Sequence, residues 1–369
     1  MCPPPFLNTQ PVQRKDAAKG AQENLFLPGF TVVGEWNMEE KRFLGDICVM
    51  LGLGGLRAEP KRLSGGFLHR MYSLETDSGR YAAKLLNPYI MKRDTAMENY
   101  RRAEELEAKL ESRGLPVLPA LRFHGKKMQE LEGQYFYLFD WFDGKALTGR
   151  EIRKEHCEKM GGVLAEIHRT EVRREKVELS EIHGSWQLYE GRLKEEAPEL
   201  AALLGENLQL ISDCQDRGNR ALKRLPSVTA ICHNDMDSKN VLWKGEEFRI
   251  IDLECMQFES PYMELFDLAL NWSGYEECSI DLERFYALIE AYREAGGLMP
   301  PEWECLYEAG FLVRLDWLEF NLKRTLGIEG GSDERELGAS MVRWALEHLR
   351  YYAGMREKLL EACGEISHG

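Results

Sequence analysis

Apolar residues change their spacing along the 369-residue chain, and these changes predict which segments form helices and which form strands. Between residues 37 and 53 they recur every three or four positions, which is typical of a helix with one buried face. Two short apolar runs follow at residues 67–76 and 80–87, and an Asp-Ser-Gly turn at residues 77–79 separates them. This arrangement predicts two strands joined by a tight turn.

The next part of the chain predicts one helix and two more strands. Residues 94–112 are strongly charged, and Gly114 and Pro116 form a stop signal after them, so we expect a helix there. Residues 121–125 and 134–144 are short runs with aromatic residues on either side of a Lys-Lys pair. We predict that each of these runs forms a strand.

Beyond residue 144 the pattern becomes mostly helical. Two β-like runs interrupt it, at residues 230–243 and 248–254. Elsewhere apolar residues keep a helical spacing over long stretches. The helical stretches are residues 152–168, residues 186–222 and the residues from about 281 to the end.

These patterns predict an α+β fold with three regions along the chain. Residues 1–35 are rich in Pro, Gln and Lys and are expected to form a loose lead-in. Residues 36–143 are predicted to form an N-lobe with an antiparallel sheet plus helix, and residues 144–369 a larger, mostly helical C-lobe. A hinge between the two lobes is expected at residues 138–145.

Composition and charge exclude several classes of protein. The net charge of −14 argues against a nucleic-acid partner, because binding phosphates takes clustered Lys and Arg. No apolar run is long enough to cross a bilayer, and the first residues lack a secretory signal, so we expect no membrane association. The nine cysteines include no Cys-x-x-Cys pair, and we therefore expect reduced thiols and a cytoplasmic location.

The sequence HNDMDSKN at residues 233–240 carries the strongest chemical signal in the chain. Asp235 and Asn240 are five positions apart, which is the spacing of a kinase catalytic loop. In such a loop the Asp accepts the hydroxyl proton and the Asn binds Mg²⁺. The spacing matters because both side chains must reach one phosphoryl group from opposite ends of a short loop.

A second acidic residue follows a short apolar run. Phe-Arg-Ile-Ile at residues 248–251 ends at Asp252, twelve positions after Asn240. A strand that ends in Asp brings a carboxylate to the place where a second metal ligand is needed, and Mg²⁺ prefers oxygen ligands. We predict Asn240 and Asp252 as metal ligands, with a solvated turn carboxylate as the alternative for Asp252.

Lys84 lies within the apolar run Tyr-Ala-Ala-Lys-Leu-Leu, on a strand that we expect to be half-buried. An unpaired buried ammonium group is costly, so Lys84 needs an acidic partner. Glu104 in the following helix is the predicted partner, and Glu98 and Glu105 on the same helix are the alternatives.

A glycine pair precedes this strand. Ser64, Gly65 and Gly66 could fold over phosphate groups, because glycine allows backbone N–H groups to approach closely. A plain hairpin turn is the alternative interpretation of the same three residues.

The stretch from Ala230 to Trp272, with ICHNDMDSKNVLW, RIIDLE and MELFDLALNW, resembles the aminoglycoside phosphotransferase and choline kinase superfamily. This superfamily contains the small-molecule relatives of protein kinases. The resemblance extends from about Leu63 to Leu326 and implies a protein-kinase-like bilobal fold.

The resemblance also implies cofactors and roles. ATP and Mg²⁺ are the implied cofactors, with Asp235 as catalytic base and with Asn240 and Asp252 as Mg²⁺ ligands. Lys84 would contact the α- and β-phosphates of a nucleotide bound in the N-lobe. The adenine would meet backbone groups of the hinge segment. That segment comprises Asp140, Trp141 and Phe142.

The implied reaction is transfer of the ATP γ-phosphate to a hydroxyl group of a small molecule, such as an aminoglycoside or an amino alcohol. A protein kinase would need an Asp-Phe-Gly motif and an activation segment ending in Ala-Pro-Glu, and neither is present. The alternative is a catalytically weak or inactive nucleotide-binding module. These residues leave open the acceptor, the choice between ATP and GTP, the oligomeric state, and the roles of Asp237 and Lys239.

Overall fold

The computed structural model describes residues 38–63, 69–177, 179–329 and 334–368. The predicted loose lead-in at residues 1–35 lies outside the described residues, and so do Ser64, Gly65 and Gly66. None of the described helices is both long and apolar enough to span a membrane.

The helices and strands are numbered in chain order. The helices are α1 (Met38–Met50), α2 (Pro88–Met91), α3 (Ala96–Ser112), α4 (Lys154–His168), α5 (Trp186–Glu196), α6 (Pro198–Leu222), α7 (Pro261–Trp272), α8 (Leu282–Glu294), α9 (Trp303–Thr325), α10 (Arg335–Gly354) and α11 (Arg356–His368). The strands are β1 (Lys61–Leu63), β2 (Arg70–Glu75), β3 (Arg80–Leu85), β4 (Gln129–Leu131), β5 (Gln134–Asp140), β6 (Lys145–Ala146), β7 (Val172–Arg173), β8 (Thr229–Cys232), β9 (Val241–Lys244), β10 (Glu247–Ile250) and β11 (Gln257–Glu259).

The described residues group into two compact units. The sheet unit contains the residues before Ile152 together with His233–Gln257. The helical unit contains Ile152–Cys232 and the residues from Phe258 onward. The sequence of the predicted catalytic loop therefore belongs to the same unit as the N-terminal strands, and the lobe boundary after residue 143 stays a prediction.

The sheet unit contains the predicted antiparallel sheet, with strand order β1-β2-β3-β5-β4. The hairpin of β2 and β3 is confirmed, and Gly79 adopts the positive φ of 151° at its turn. Successive side chains of a strand point to opposite faces of the sheet. Ala83 and Leu85 belong to the apolar core that α1 covers, so Lys84 between them faces the other side.

One predicted strand in this region is wrong. Residues 121–125 form a turn closed by Phe123 and Lys126, whose backbone groups donate to each other's carbonyl at 2.9 and 3.0 Å. His124 and Gly125 both have positive φ values, which lie outside the β region of a regular strand. On its other edge from β3, β5 pairs with β4, which begins only at Gln129.

The helical unit combines α4 to α11 with a small sheet in the order β11-β8-β7. The long helical stretch predicted for residues 186–222 divides into α5 and α6 at Pro198. Ala197 has φ −150° and ψ 75°, in keeping with the rule that a residue before proline avoids the helical region. The fold class, a mixed structure with an N-terminal antiparallel sheet and a mostly helical remainder, is as predicted.

A buried hydrogen-bond network joins three helices of this unit. The Leu298 N–H donates to the Tyr292 hydroxyl at 3.0 Å, and this hydroxyl lies 2.8 Å from His168 Nδ1. His168 Nε2 lies 2.7 Å from Glu264 Oε2, and the thiol of Cys232 completes the cluster. Burial and the Glu264 charge raise the pKa of Cys232 well above its usual value. These groups satisfy one another, and we assign them a structural role.

Gly161 marks a close contact between α4 and α8. A Cβ atom at this position would overlap the carbonyl oxygen of Leu288 on α8 and would lie 3.0 Å from the backbone nitrogen of Tyr292. The neighbouring Gly162 has no atom within 4 Å of the corresponding position. The two neighbouring glycines of α4 therefore provide a test position and a matched control for substitution.

We expect Gly161→Ala to lower the free energy of unfolding by about 1–3 kcal/mol, because overpacking forces backbone shifts. Gly162→Ala should raise the free energy of unfolding by up to about 1 kcal/mol, since alanine has the better helix propensity. Urea denaturation of both variants measures the difference. Equal effects at the two positions would contradict the helix contact described here.

Candidate active site

A two-stranded hairpin brings the two halves of the predicted site together. In the antiparallel pair of β9 and β10, Val241 lies opposite Ile250. The ladder continues one residue further, where the Ile251 N–H donates to the Asn240 carbonyl at 2.9 Å. Asn240 at the end of the catalytic loop is therefore paired with the residue that precedes Asp252.

His233 ties the same two segments together through its side chain. The Asp235 N–H donates to His233 Nδ1 at 3.3 Å, so Nδ1 is an acceptor and the ring proton is on Nε2. That Nε2–H donates to the Ile251 carbonyl at 3.1 Å. The ring is completely buried, which agrees with a role in orienting the loop.

Two residues near this junction have unusual backbone conformations. Asn234 and Asp252 both have φ of 64°, in the left-handed region that most residues avoid. The Asn234 side chain donates to the Cys255 carbonyl at 3.0 Å and so holds the loop against the turn that follows Asp252. Such strained residues persist only where the surrounding contacts hold them, and they concentrate at functional sites.

Asp235 is held at both carboxylate oxygens. Lys239 Nζ donates to Oδ1 at 2.9 Å, and Asn240 Nδ2 donates to Oδ2 at 2.9 Å. Burial and the nearby charge of Asp237 raise the pKa of Asp235 to about 6, although Lys239 opposes this shift. A carboxylate with a raised pKa is a stronger base than an ordinary one, and it is still ionised at neutral pH.

Lys239 bridges two carboxylates of the loop. Besides Asp235, its ammonium group donates to Asp237 Oδ2 at 3.2 Å. Asp237 precedes the short 3-10 turn Ser238–Asn240 but makes no capping hydrogen bond with its side chain. The Asp237 side chain therefore does not cap this turn.

The Asn240 side chain is held through its amide nitrogen. Its amide nitrogen donates to the carbonyl of Asp235 at 2.7 Å as well as to the Asp235 carboxylate. Among the described residues, no hydrogen bond reaches the Asn240 side-chain oxygen. Together with Asp252, Asn240 offers the hard oxygen donors that Mg²⁺ prefers, so the residues present fit such an ion.

Lys84 is paired with two carboxylates. Its Nζ donates to Asp252 Oδ1 and to Glu254 Oε2, each at 2.5 Å. Burial alone would lower the pKa of Lys84, but the charges of Glu254 and Asp252 raise it above its usual value. Burial alone would likewise raise the pKa of Glu254, but Lys84 and His69 hold it below its usual range.

The predicted pairing of Lys84 with Glu104 is wrong in this structure. Glu104 accepts hydrogen bonds from the Tyr137 hydroxyl at 2.9 Å and from the Met128 N–H at 3.2 Å. The alternatives Glu98 and Glu105 both bind Arg101 on the exposed side of α3. The segment after β10 provides both carboxylates for Lys84, so no glutamate of α3 is required.

Sequence reasoning missed Glu254 and its neighbour His69. The Asn87 N–H donates to His69 Nδ1 at 3.0 Å, and His69 Nε2 lies 3.0 Å from Glu254 Oε1. The available signal was an acidic residue two positions after Asp252, which follows the same apolar run. His69 has no comparable signal, since it is an isolated histidine directly before β2.

The predicted hinge directly follows β5. Asp140 is the last residue of β5 and lies opposite Tyr81. The Trp141 N–H donates to the Arg80 carbonyl at 3.1 Å, and the Arg80 guanidinium lies 3.9 Å from the Trp141 ring centre. Of the two backbone groups of Trp141, only the carbonyl is therefore left for an adenine. The Phe142 ring faces the Arg249 guanidinium at 5.4 Å.

Comparison with known proteins provides independent information. A family model described as "Phosphotransferase enzyme family" matches residues 59–306, which is more than half of the chain. No curated protein sequence shows a significant match.

Solved structures share the fold at low sequence identity. Spectinomycin phosphotransferase APH(9)-Ia, in complex with ADP and spectinomycin, has a TM-score of 0.65 at 13% identity, covering 85% of this chain and 98% of its own. An aminoglycoside phosphotransferase from Alicyclobacillus acidocaldarius has a TM-score of 0.53 at 13% identity, covering 84% and 95%. Amicoumacin kinase hAmiN, in complex with AMP-PNP, Ca²⁺ and Ami, has a TM-score of 0.55 at 13% identity, covering 84% and 93%. The protein-kinase-like fold is confirmed.

The two hydrogen bonds of His233 predict how substitutions at this position change the stability of the protein. His233→Leu removes the acceptor of the Asp235 N–H and the donor to the Ile251 carbonyl. Leaving a buried polar group unpaired costs about 1–3 kcal/mol, and two groups lose their partner, so we expect the free energy of unfolding to fall by about 2–6 kcal/mol. His233→Gln keeps a donor for Ile251 and should lose less. Urea denaturation of both variants is the measurement, and equal losses would contradict the proposed hydrogen bonds.

Proposed function

The chain belongs to the phosphotransferase enzyme family, and we propose that it transfers the γ-phosphate of ATP to a hydroxyl group of a small molecule. The observation that carries this proposal is the arrangement of two bonded pairs, Asp235 with Asn240 and Asp252 with Lys84. The backbone bond between Asn240 and Ile251 links the two pairs. These four residues come from a loop, a hairpin end and a strand of one compact unit. They match the residue types that phosphoryl transfer uses in kinases.

Each residue receives a role that its contacts support. Asp235 accepts the proton of the acceptor hydroxyl, and its carboxylate is held in place by Lys239 and Asn240. Asn240 and Asp252 would hold Mg²⁺, which neutralises charge on the phosphates when it is bound. Lys84 provides a positive charge for the nucleotide phosphates.

The same comparison supports a proposal for the class of acceptor. The solved structure of APH(9)-Ia contains spectinomycin, and that of hAmiN contains Ami. We propose for this chain a hydroxylated small molecule as well, with aminoglycosides and amino alcohols as the first compounds to test. A panel of such compounds, assayed for acceptor-dependent release of ADP by the purified protein, identifies the acceptor. ADP release with none of them, despite tight binding of Mg²⁺-ATP, would favour the inactive module.

We also propose a cytoplasmic location. None of the eight described cysteines forms a disulfide, and six of them are buried. Disulfides are rare in reducing compartments, so reduced cysteines in the described part of the chain fit the cytoplasm.

Mg²⁺-ATP should stabilise the protein against heat. A ligand that binds only the folded state at 100 times its Kd adds about 2.7 kcal/mol to the free energy of unfolding, which should raise the Tm by several degrees. Asp252→Ala should lose the part of this shift that depends on Mg²⁺. A thermal-shift assay with ATP, with Mg²⁺ and with both measures the effect. An unchanged Tm at saturating Mg²⁺-ATP would reject the nucleotide site.

Asp235→Asn should slow transfer and leave nucleotide affinity nearly intact. Loss of a general base typically lowers kcat by about 10²–10⁴-fold. Single-turnover transfer to the acceptor found in the panel is the measurement, and calorimetry with ATP checks the nucleotide affinity.

The matched control is Asp237→Asn. It removes the other carboxylate that binds Lys239, and it should change the acceptor KM more than kcat. If Asp235→Asn keeps more than about a tenth of the wild-type rate, Asp235 is not the base.

A further inference from the structure

We propose that Glu254, oriented by His69, is the residue that positions Lys84 for the nucleotide phosphates, in place of a glutamate of helix α3. Protein kinases pair the corresponding lysine with a glutamate of the helix that follows its strand. This inference rests on the proposed function, because it assigns a positioning residue to the same nucleotide site.

Lys84 needs an acidic partner that stays paired with it when a metal is bound. The residue is only 7% exposed, and a buried ammonium group without a counter-charge is costly. Of its two partners, Asp252 is the predicted metal ligand, and its side chain is 36% exposed. The side chain of Glu254 is 17% exposed, and it is the more buried partner. Glu254 can therefore keep Lys84 paired while Asp252 serves the metal.

Glu254 is fixed at both of its oxygens. Oε2 accepts from Lys84, and Oε1 lies 3.0 Å from His69 Nε2. Since the Asn87 N–H donates to His69 Nδ1, the proton of the ring is on Nε2 and points to Glu254. A carboxylate with both oxygens bound has one preferred orientation, which is what a positioning residue requires.

Helix α3 contributes to this arrangement through a tyrosine. The Tyr100 hydroxyl lies 3.3 Å from the same His69 Nε2, and both side chains are buried. Glu104 on the same helix is engaged with Tyr137 and Met128. The chain of contacts from α3 to Lys84 therefore passes through Tyr100, His69 and Glu254.

The test compares Glu254→Gln with Glu104→Gln in the full-length enzyme. Glu254→Gln should lower kcat/KM for ATP at least tenfold and leave the KM for the acceptor unchanged, which is a split that general destabilisation would not produce. Glu104→Gln keeps an oxygen for Tyr137 and Met128 and should stay within twofold of wild type. Equal effects of the two variants, or no effect of Glu254→Gln, would overturn the inference.

Variants of His69 provide a second measurement that does not alter Glu254. His69→Leu removes the donor to Glu254 and should reduce ATP affinity, measured by calorimetry, in the same direction as Glu254→Gln. His69→Gln keeps an N–H donor and should restore most of the wild-type affinity. Equal affinities of the two His69 variants would overturn the orienting role of His69.

Two further outcomes are distinguishable. If Glu254→Gln mainly raises the Mg²⁺ concentration needed for half-maximal rate, Glu254 is a metal ligand and the positioning role is wrong. If the wild type neither binds ATP nor releases ADP, the proposed function fails, and the inference falls with it. If the wild type is active and Glu254→Gln is unaffected, only the positioning role of Glu254 is wrong, and the proposed function stands.

Discussion

The buried charge of Lys84 is the constraint on which the site depends. A buried lysine on a strand loses its hydration, and nearby carboxylates compensate for that loss. Asp252 and Glu254 provide this compensation from a segment about 170 positions later in the chain. The N-terminal sheet and the segment that follows β10 are therefore joined by charge, and both belong to one compact unit.

The hairpin of β9 and β10 fixes the position of Asp252 relative to the loop that contains Asp235 and Asn240. Antiparallel register sets Asn240 opposite Ile251, and the buried ring of His233 spans the same junction with one hydrogen bond on each side. Because a ladder and a ring bond specify the same alignment, the catalytic loop cannot slide relative to Asp252. The strained conformations of Asn234 and Asp252 are tolerated because these bonds hold both segments.

The parts of the structure that depend on short-range signals could be predicted from the sequence. The strands around Lys84, the helix α3 and the five-residue spacing of Asp235 and Asn240 are all local patterns. The partner of Lys84 could not be predicted, because it depends on tertiary contacts between distant segments. The prediction of a strand at residues 121–125 was wrong for another reason, because His124 adopts a positive φ that non-glycine residues seldom show.

The two-residue spacing of Asp252 and Glu254 has a mechanical consequence. A left-handed residue followed by the 3-10 turn Leu253–Cys255 places both carboxylates on one short, hydrogen-bonded segment. In protein kinases the metal ligand and the partner of the lysine come from different elements, so one can move without the other. Here a displacement of this turn would remove the metal ligand and the lysine partner together. The site should therefore assemble as a whole. A movement of α3 cannot control the lysine through Glu104, because Glu104 binds Tyr137 instead.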